Sequence, residues 1–476
     1  MGAYVGIGGK AKKVNNVYVG VDNVAKEVTK GYVGVGGVAR PFWSGAGKPL
    51  EYYGRAPNLQ PPRSSFAGAS VGDYGLFGGG YEYAPAAQVD AYSSSLVRTA
   101  APNLQSSRYF LAGASVGDYA LFGGGRTASS STPGVDAYSS QLVRSSAYGL
   151  VKQLASLAGA SVGDYGLFGG GYEYAPAAQV DAYSSSLVRT TAPNLQSPRY
   201  FLAGASVGNY GLFAGGKTTA STSPDVDAYS SQLVHSTAHG FAKQRASLAS
   251  ASVGDYALFG GGNPKDSTFA GVDAYSSSLV RTVAATLQSP RHSLAGASVG
   301  DYALFGGGIN EKNSSDYSVD AYDKNLVRTE STALSNARAY PAGVSVGGYA
   351  LFGGGERYAP SGSDACYADV DAYTQEGAGF ITVKLINNSS RDIQAACYYR
   401  STGKYIDGTS LSIPQGDTRS QKLSNNGLYL EVVGGNTATT EVSPRAFVSF
   451  NKGDATNLQY FYFLRTGITY TVTIND

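Results

Sequence analysis

The chain has 476 residues, of which 64 are Gly and 37 are Tyr, while charged residues make up only 15%. Its 36 basic and 34 acidic side chains give a formal charge of +2, which excludes a bulk nucleic-acid binder and a charge-rich disordered chain. Three His and two Cys exclude a disulfide scaffold or Cys-rich zinc protein, and the Gly, Tyr, Ser and Val content favours β-strands joined by many turns.

Residues 1–48 contain a repeat of 14 residues, marked by Tyr4, Tyr18 and Tyr32. Each unit reads as two short strands around a turn, which predicts a ribbon of β-hairpins. Seven basic and two acidic side chains give this segment a charge of +5. The basic residues are either solvated strand faces or an electrostatic docking surface. A ribbon this thin buries little surface alone, so we expect it to self-associate or to anchor the chain on a partner.

A second repeat of 45 to 47 residues occurs seven times between residues 49 and 376. Each copy contains the string Gly-Gly-Gly, or Ala-Gly-Gly once, followed by Val-Asp-Ala-Tyr. The first copy predicts four short antiparallel strands, A to D: Ala67 to Val71, Tyr74 to Gly78, Val89 to Tyr92, and Leu96 to Thr99. Four strands per unit of this length indicate the blades of a β-propeller. The small residues of strand A suit the crowded position beside the propeller axis.

These repeats resemble the kelch family, which has a Gly-Gly doublet after strand B and a Tyr in strand C. Both features occur in all seven copies, whereas the family's strand-D Trp is replaced by the Leu96 to Arg98 segment. The resemblance covers residues 49–376 and implies a seven-bladed propeller. The seventh copy lacks its strand-D segment, and a similar segment stands before the first copy, at Tyr52 to Leu59. We therefore expect residues 49–59 to close blade seven.

Residues 377–476 change to Asn, Thr and β-branched residues in about eight alternating runs, which predicts a C-terminal β-sandwich. The fold class expected for the whole chain is all-β: a hairpin ribbon, a propeller and a sandwich. The segment Pro41-Phe42-Trp43-Ser44-Gly45 resembles the end of short hairpin-repeat modules in phage and prophage tail-associated proteins. Joined to a kelch array, it resembles a tail-tip or fibre protein.

Repeated polar residues favour a structural role over catalysis. The Asp of Val-Asp-Ala-Tyr recurs in all seven copies, and a catalytic group is needed once, so we expect it to bond turn or Gly-Gly amides. An Arg precedes strand A in six copies, and blade three has Leu154 instead. We expect these Arg residues to pair with a neighbouring blade's carboxylate, with an anion-binding ring in the channel as the alternative. No catalytic motif, cofactor site or metal site is expected; His235 and His239 stand four apart, but another copy carries Arg144 and Tyr148 there.

The variable loops between strands B and C are the candidate binding site, because loop tips on a rigid scaffold often carry recognition. Tyr side chains offer stacking faces that become ordered at low entropic cost. The candidate ligand-binding residues are Tyr81, Glu82, Tyr83, Tyr172, Glu173, Tyr174, Arg357 and Tyr358. Residues 67–99 and 158–190 are identical, loop included, so recent duplication without any ligand is the alternative interpretation.

The sequence thus predicts a non-enzymatic phage or prophage tail-associated adhesin that binds a host surface glycan or protein. Its expected partners are tail or baseplate proteins, through residues 1–48, and a homotrimer is expected by resemblance to tail fibres. The expected location is the virion tail or a phage-tail-like particle, assembled in the bacterial cytoplasm without a signal peptide; no nucleic acid and no membrane insertion are expected. A cellular kelch scaffold for protein–protein interaction is the second interpretation, and a glycan-active enzyme is the third.

Overall fold

A computed structural model describes residues 49–265, 267–359 and 365–375 in full, together with the backbone of strands within residues 4–44 and 381–475. The chain divides into two compact units, Met1–Pro49 and Leu50–Asp476. The described residues are all-β. Among them, no helix has the length and apolarity that crossing a membrane requires.

Seven four-stranded antiparallel sheets form a seven-bladed β-propeller, with one sheet for each repeat. Strand A is innermost, because the seven A strands contact one another in sequence around the axis. The A strands are Ala67–Val71, Ala112–Val116, Ala158–Val162, Ala203–Val207, Ala249–Val253, Ala295–Val299 and Ala342–Val346. The B strands are Tyr74–Gly78, Tyr119–Gly123, Tyr165–Gly169, Tyr210–Ala214, Tyr256–Gly260, Tyr302–Gly306 and Tyr349–Gly353.

The outer half of each blade is formed by strands C and D. The C strands are Val89–Ser93, Val135–Ser139, Val180–Ser184, Val226–Ser230, Val272–Ser276, Val319–Asp323 and Val370–Gln375. The D strands of blades one to six are Arg98–Ala101, Arg144–Ala147, Arg189–Ala192, His235–Ala238, Arg281–Ala284 and Arg328–Glu330. A two-residue pair, Arg291–His292 with Ile309–Asn310, extends blade six.

The core lies between adjacent blades. In the first blade, Phe77 of strand B and Tyr92 of strand C are fully buried, and their rings meet edge to face with centroids 5.8 Å apart. The Tyr92 hydroxyl donates to the carbonyl of Pro57 at 2.6 Å, on the segment that precedes the blade. Each later blade repeats this bond to the chain before it, at 2.7–2.8 Å. Each blade is buried between its two neighbours, which explains why strand B carries apolar side chains on both of its faces.

Around the axis, small residues allow the inner strands to approach closely. A Cβ atom added at Gly113 would lie 2.1 Å from the carbonyl oxygen of Gly68 on the inner strand of the preceding blade, so a larger residue there would force the two backbones apart. One step further along, the Ser115 hydroxyl donates to the Ser70 carbonyl at 2.7 Å. Because bonds of this kind recur between neighbouring inner strands, the Ser residues of strand A serve to join the blades.

The prediction for strand D was wrong by two residues. In blade one the strand is Arg98–Ala101, and Leu96 belongs to the turn that precedes it, with a φ of 58°. The Ser93 hydroxyl accepts the Val97 amide in this turn at 3.1 Å. Leu96 is buried against the neighbouring blade, so the residue is retained for packing although its backbone is left-handed.

Blade seven takes its outer strand from the start of the propeller. Leu50–Ala56 pairs antiparallel with Val370–Gln375, which closes the circle with strands from both ends of the propeller sequence. The Tyr52 hydroxyl donates to Asp371 at 2.7 Å, and the amide of Leu59 donates to Ala368 at 2.8 Å. Burial and the neighbouring carboxylate raise the pKa of Tyr52 to about 12, so its hydroxyl stays protonated as a donor.

The propeller has two different faces. The hairpin face carries the tight turns between strands A and B, such as Gly72-Asp73, and the turns between strands C and D. The loop face carries the variable B–C loops and the connections from strand D to the next strand A. Leu50 pairs with Gln375 at the hairpin face, where the Gln375 amide oxygen accepts the Asp301 backbone amide at 3.0 Å. The chain therefore both enters and leaves the propeller at the hairpin face.

Outside the propeller, the structure describes backbone strands only. The N-terminal unit has three antiparallel hairpins, one in each 14-residue repeat: Tyr4–Ile7 with Lys10–Lys13, Val17–Val21 with Val24–Val28, and Lys30–Val35 with Val38–Ser44. Two sheets follow the propeller. One contains Thr418–Leu423, Ile381–Asn387, Thr469–Asn475 and Thr439–Ser443, and the other contains Leu411–Ile413, Ile393–Tyr399, Leu428–Val433, Leu458–Tyr462 and Phe447–Phe450. The side chains on which the predicted anchor and sandwich depend lie outside the described residues.

Candidate functional site

The repeated Arg and Asp form buried pairs within each blade. Arg63 and Asp90 are both buried, and a guanidinium nitrogen lies 2.5 Å from a carboxylate oxygen. The other carboxylate oxygen binds Arg98 of strand D at the same distance. The same Arg–Asp pair occurs in blades two, four, five, six and seven.

Two expectations about these residues were wrong. The Arg pairs with the Asp of its own blade, not of a neighbouring blade, because the connection into strand A folds over the blade that it enters. The six Arg side chains are also fully buried, so they cannot form an anion-binding ring in the channel. The Asp is structural as expected, but its main partner is a guanidinium rather than the Gly-Gly amides. Burial lowers the pKa of Arg63 despite the adjacent carboxylate of Asp90.

Blade three is the exception, because Leu154 replaces the Arg. Asp181 is buried, and one of its carboxylate oxygens has no hydrogen-bond partner. The other oxygen accepts only the backbone amide of Val151 at 3.3 Å. The Arg189 guanidinium is 3.9 Å away and donates instead to the Gly149 carbonyl at 2.6 Å. Burial raises the pKa of Asp181, and these weak contacts only partly oppose the effect.

The B–C loops begin from fixed positions on the loop face. Tyr81, the first residue of the blade-one loop, exchanges backbone hydrogen bonds of 2.9 Å with Ser64 in the connection that enters the same blade. Tyr172 makes the equivalent pair with Ala155 in blade three. In blades two and four, Arg126 pairs with Tyr109 and Lys217 pairs with Tyr200. The backbone therefore holds the start of each of these four loops beside the propeller axis.

The predicted Tyr residues of blades one and three occupy equivalent positions in their two loops. Tyr83 and Tyr174 project from the tips of the loops of blades one and three and are 85% and 88% exposed. Tyr81 and Tyr172 lie at the bases of the same loops and are 37% and 38% exposed. Glu82 and Glu173 stand between them on their loops and are partly buried.

Arg357 and Tyr358 belong to a third place, the loop of blade seven. The Tyr358 amide donates to the Ser315 hydroxyl at 2.7 Å, and the Ser315 amide donates to the Tyr358 carbonyl at 2.9 Å. This loop is therefore joined to the loop of blade six. Next to Arg357, the Glu356 carboxylate accepts the Ser64 hydroxyl of blade one at 2.7 Å.

A closed ring of backbone hydrogen bonds surrounds the axis on the loop face. It consists of one residue from each D–A connection, and we call these seven residues the axial ring. Each amide donates to the carbonyl of the ring residue of the preceding blade, at 2.8–3.2 Å, and the last of these bonds joins Ser65 to Tyr340. The φ angles are all between 51° and 57°. The axial ring is Ser65, Phe110, Ser156, Phe201, Ser247, Ser293 and Tyr340.

Aromatic side chains cross the centre of this face in continuous contact, and we call them the aromatic belt. Tyr81 meets Tyr109 at a centroid distance of 5.0 Å, and Tyr109 meets Phe110 at 5.0 Å. The second arm repeats this arrangement from Tyr172 to Tyr200 and Phe201, at 4.8 and 5.2 Å. The arms join at the axis, where Phe110 lies 5.7 Å from Phe201 and 6.4 Å from Tyr340.

The sequence prediction missed five of the seven belt residues: Tyr109, Phe110, Tyr200, Phe201 and Tyr340. They lie in the D–A connections, directly after the repeated Arg, whereas the prediction considered only the B–C loops. The signal was available, because the pair Tyr-Phe follows both Arg108 and Arg199. Only the fold shows that these connections turn inward to the axis.

In the described part of the chain, no group of three or more His, Cys, Asp or Glu side chains could hold a metal ion. His235 contacts Asp227 at 2.7 Å, in the position that strand-D Arg residues occupy elsewhere. No protein-family model matches the chain, and no curated protein sequence matches it significantly. The seven-bladed propeller, with the Gly-Gly doublets and the strand-C Tyr residues in place, is consistent with a kelch-type propeller.

Proposed function

We propose that the protein is a non-enzymatic adhesin of a phage or prophage tail, whose propeller binds a host surface glycan or protein through its loop face. The single observation that carries this proposal is the polarity of the propeller. The chain enters at Leu50 and leaves at Gln375 on the hairpin face, whereas the variable loops and the aromatic belt occupy the loop face. A binding face pointing away from both points of attachment suits a display protein.

The chemistry of the repeats supports a binding role rather than an enzymatic one. The repeated Arg and Asp side chains, which recur as catalytic residues in other proteins, form buried pairs inside the blades. The side chains at the centre of the loop face are uncharged: Ser, Phe and Tyr side chains together with Leu and Pro. Such groups supply contact area and hydrogen bonds for recognition.

The attachment to a tail is proposed from the sequence of residues 1–48, whose hairpin repeat and +5 charge suit docking on a larger assembly. Mass spectrometry of purified tails or tail-like particles from the producing cells tests this part. Presence of the chain in stoichiometric amounts is expected. Its absence from particles, together with a cytoplasmic protein partner captured by the loop face, would favour a cellular scaffold instead.

Simultaneous replacement of Tyr81, Tyr83, Arg357 and Tyr358 by Ala tests the binding face. Because losing each well-packed aromatic contact costs about 1–2 kcal/mol of binding, we expect at least roughly tenfold weaker binding to host cells. The matched control is Val97→Ala with Val143→Ala, two exposed residues on the hairpin face. Unchanged binding by the loop-face variant would contradict the proposal, and binding lost on removal of residues 377–476 would assign recognition to that segment.

A further inference from the structure

A depression of about 240 Å³ lies at the centre of the loop face. Its lining consists of the axial ring and the residues that follow each ring position, such as Leu111, Leu157 and Pro341. None of the lining residues carries a charge. The two arms of the aromatic belt meet in this depression, at Phe110 and Phe201.

Aromatic and hydroxyl side chains alternate around much of the axial ring. In blade order, the ring positions are Ser, Phe, Ser, Phe, Ser, Ser and Tyr. Within the described residues, the hydroxyls of Ser65, Ser156 and Ser247 make no hydrogen bond to protein, although all three are partly buried. The depression therefore offers apolar ring faces together with hydroxyl groups that are available to a ligand.

The backbone of the axial ring holds its seven side chains at the rim of the depression. All seven residues have left-handed φ angles, which Gly adopts without the steric cost that other residues bear. None of the seven is Gly, and all seven line the depression.

We propose that the depression and the aromatic belt bind a neutral oligosaccharide, with pyranose rings stacked on Phe110 and Phe201 and sugar hydroxyls bonded to Ser65, Ser156 and Ser247 of the axial ring. This inference rests on the proposed role of the loop face in binding. A pyranose presents C–H groups on its faces and hydroxyls at its edge, which complements alternating aromatic and hydroxyl groups. An apolar peptide would bury the Ser hydroxyls without partners, which is unfavourable.

The electrostatics of the site favour a neutral sugar. An acidic glycan or a phosphorylated ligand would find no cation in the depression, since its lining is uncharged. On the arms, one carboxylate and one cation accompany each Tyr pair: Glu82 with Arg126, and Glu173 with Lys217. The nearly identical arms continue outward from the depression on two sides, so the site suits several successive sugar units.

The test uses the full-length chain and neutral oligosaccharides of glucose, galactose and mannose with four units each, with hyaluronan tetrasaccharides as the acidic comparison. Binding is measured by isothermal titration and by saturation-transfer NMR. The variant Phe110→Ser with Phe201→Ser should fold, because Ser occupies the same ring position in four blades. It should bind the preferred neutral sugar at least about tenfold more weakly.

A second variant is Ser156→Phe, whose new side chain is one that two other ring positions already carry. The added ring enters the depression and should also reduce binding. The matched control is Tyr148→Ser, an exposed aromatic residue outside the belt, which should bind like the parent chain. Absence of binding by every neutral sugar, preference for the acidic sugar, or equal binding by the ring variants and the control would overturn the inference. Host-cell binding that persists in these cases would leave the adhesin proposal standing.

Discussion

Asp181 shows what the repeated Arg contributes to a blade. In six blades a buried guanidinium binds the strand-C carboxylate, whereas in blade three Leu154 leaves one oxygen of Asp181 without a partner. A buried carboxylate without a cation is costly to ionise, which is why burial raises the pKa of Asp181. Blade three is therefore expected to be the blade in which a neutral replacement of the Asp is best tolerated.

The first prediction compares Asp181→Asn with Asp136→Asn. At pH 8, Asp181→Asn should leave the free energy of unfolding unchanged or raise it by about 1 kcal/mol, since it removes a charge that is poorly compensated. Asp136→Asn should lower it by about 3 kcal/mol, because Arg108 and Arg144 lose their carboxylate. Thermal and urea unfolding of both variants measures the difference. Equal destabilisation by the two changes would contradict this explanation.

The second prediction concerns pH. The pKa of Asp181 is raised in the folded state, so the folded chain binds this proton more tightly than the unfolded chain does. This carboxyl group therefore favours folding at low pH, and its contribution is lost as the pH rises through the folded pKa. The stability of Asp181→Asn relative to the parent chain should increase from pH 4 to pH 8. A difference that is constant over this range would show that Asp181 stays ionised in the folded protein.

At the scale of single elements, the outer strand of blade seven is the most consequential. Tyr52 packs on Tyr373 at a centroid distance of 5.2 Å, and Tyr53 packs on Tyr349 at 4.9 Å. Asp371 binds both Arg338 and the Tyr52 hydroxyl, so Tyr52 takes the place of the strand-D Arg in this blade. The missing strand-D segment of the seventh repeat predicted this closing segment from the sequence. The contacts of Tyr52 could be identified only once the fold was known.

The third prediction is that removing residues 1–58 lowers the melting temperature by roughly 5 °C or more, because the outer strand and its aromatic contacts are lost. Removing residues 1–44 should leave it within about 1 °C, since that deletion retains Leu50–Ala56. Differential scanning calorimetry at one fixed scan rate compares the two chains. Similar melting of both truncated chains would show that the closing strand contributes little.

Strand D shows why sequence patterns fail for some elements. The Leu-Val pair of each repeat was interpreted as the start of strand D, and Val is a residue that favours β structure. In the fold, Leu96 adopts a left-handed turn conformation and Val97 is 59% exposed. The Ser93 hydroxyl stabilises this turn through two backbone amides, of Ser95 and Val97. Propensity alone does not reveal that competition between local hydrogen bonding and strand formation.

At the scale of the whole molecule, the sequence sufficed to predict seven blades and an axis lined by small residues. The period, the Gly-Gly doublets and the missing seventh strand are local patterns, and they repeat often enough to be unambiguous. The aromatic belt could not be predicted in the same way. Its contacts join residues from five blades, including Tyr340 of blade seven, and they depend on how the blades are arranged around the axis.

The fourth prediction concerns residues 1–48, whose side chains lie outside the described residues. We expect the full chain to self-associate, with a trimer as the expected state, and residues 49–476 alone to be monomeric. Multi-angle light scattering at several concentrations and ionic strengths measures both. If charge contributes to self-association, the degree of association should change with salt concentration, and most steeply below about 0.15 M. If both chains are monomeric and neither associates with purified tails, the anchor role is contradicted.

The closing strand also has a mechanical consequence. Leu50 is at the hairpin face and Ala56 at the loop face, so a load held between residue 49 and a ligand on the loop face would pull along the strand. Such a pull stretches the hydrogen bonds between Leu50–Ala56 and Val370–Gln375 together, in shear. A pull between residue 49 and residue 376 would instead open the same pair one bond at a time, from Leu50 and Gln375 onward. The propeller should therefore resist tension from a bound surface better than tension between its own two ends.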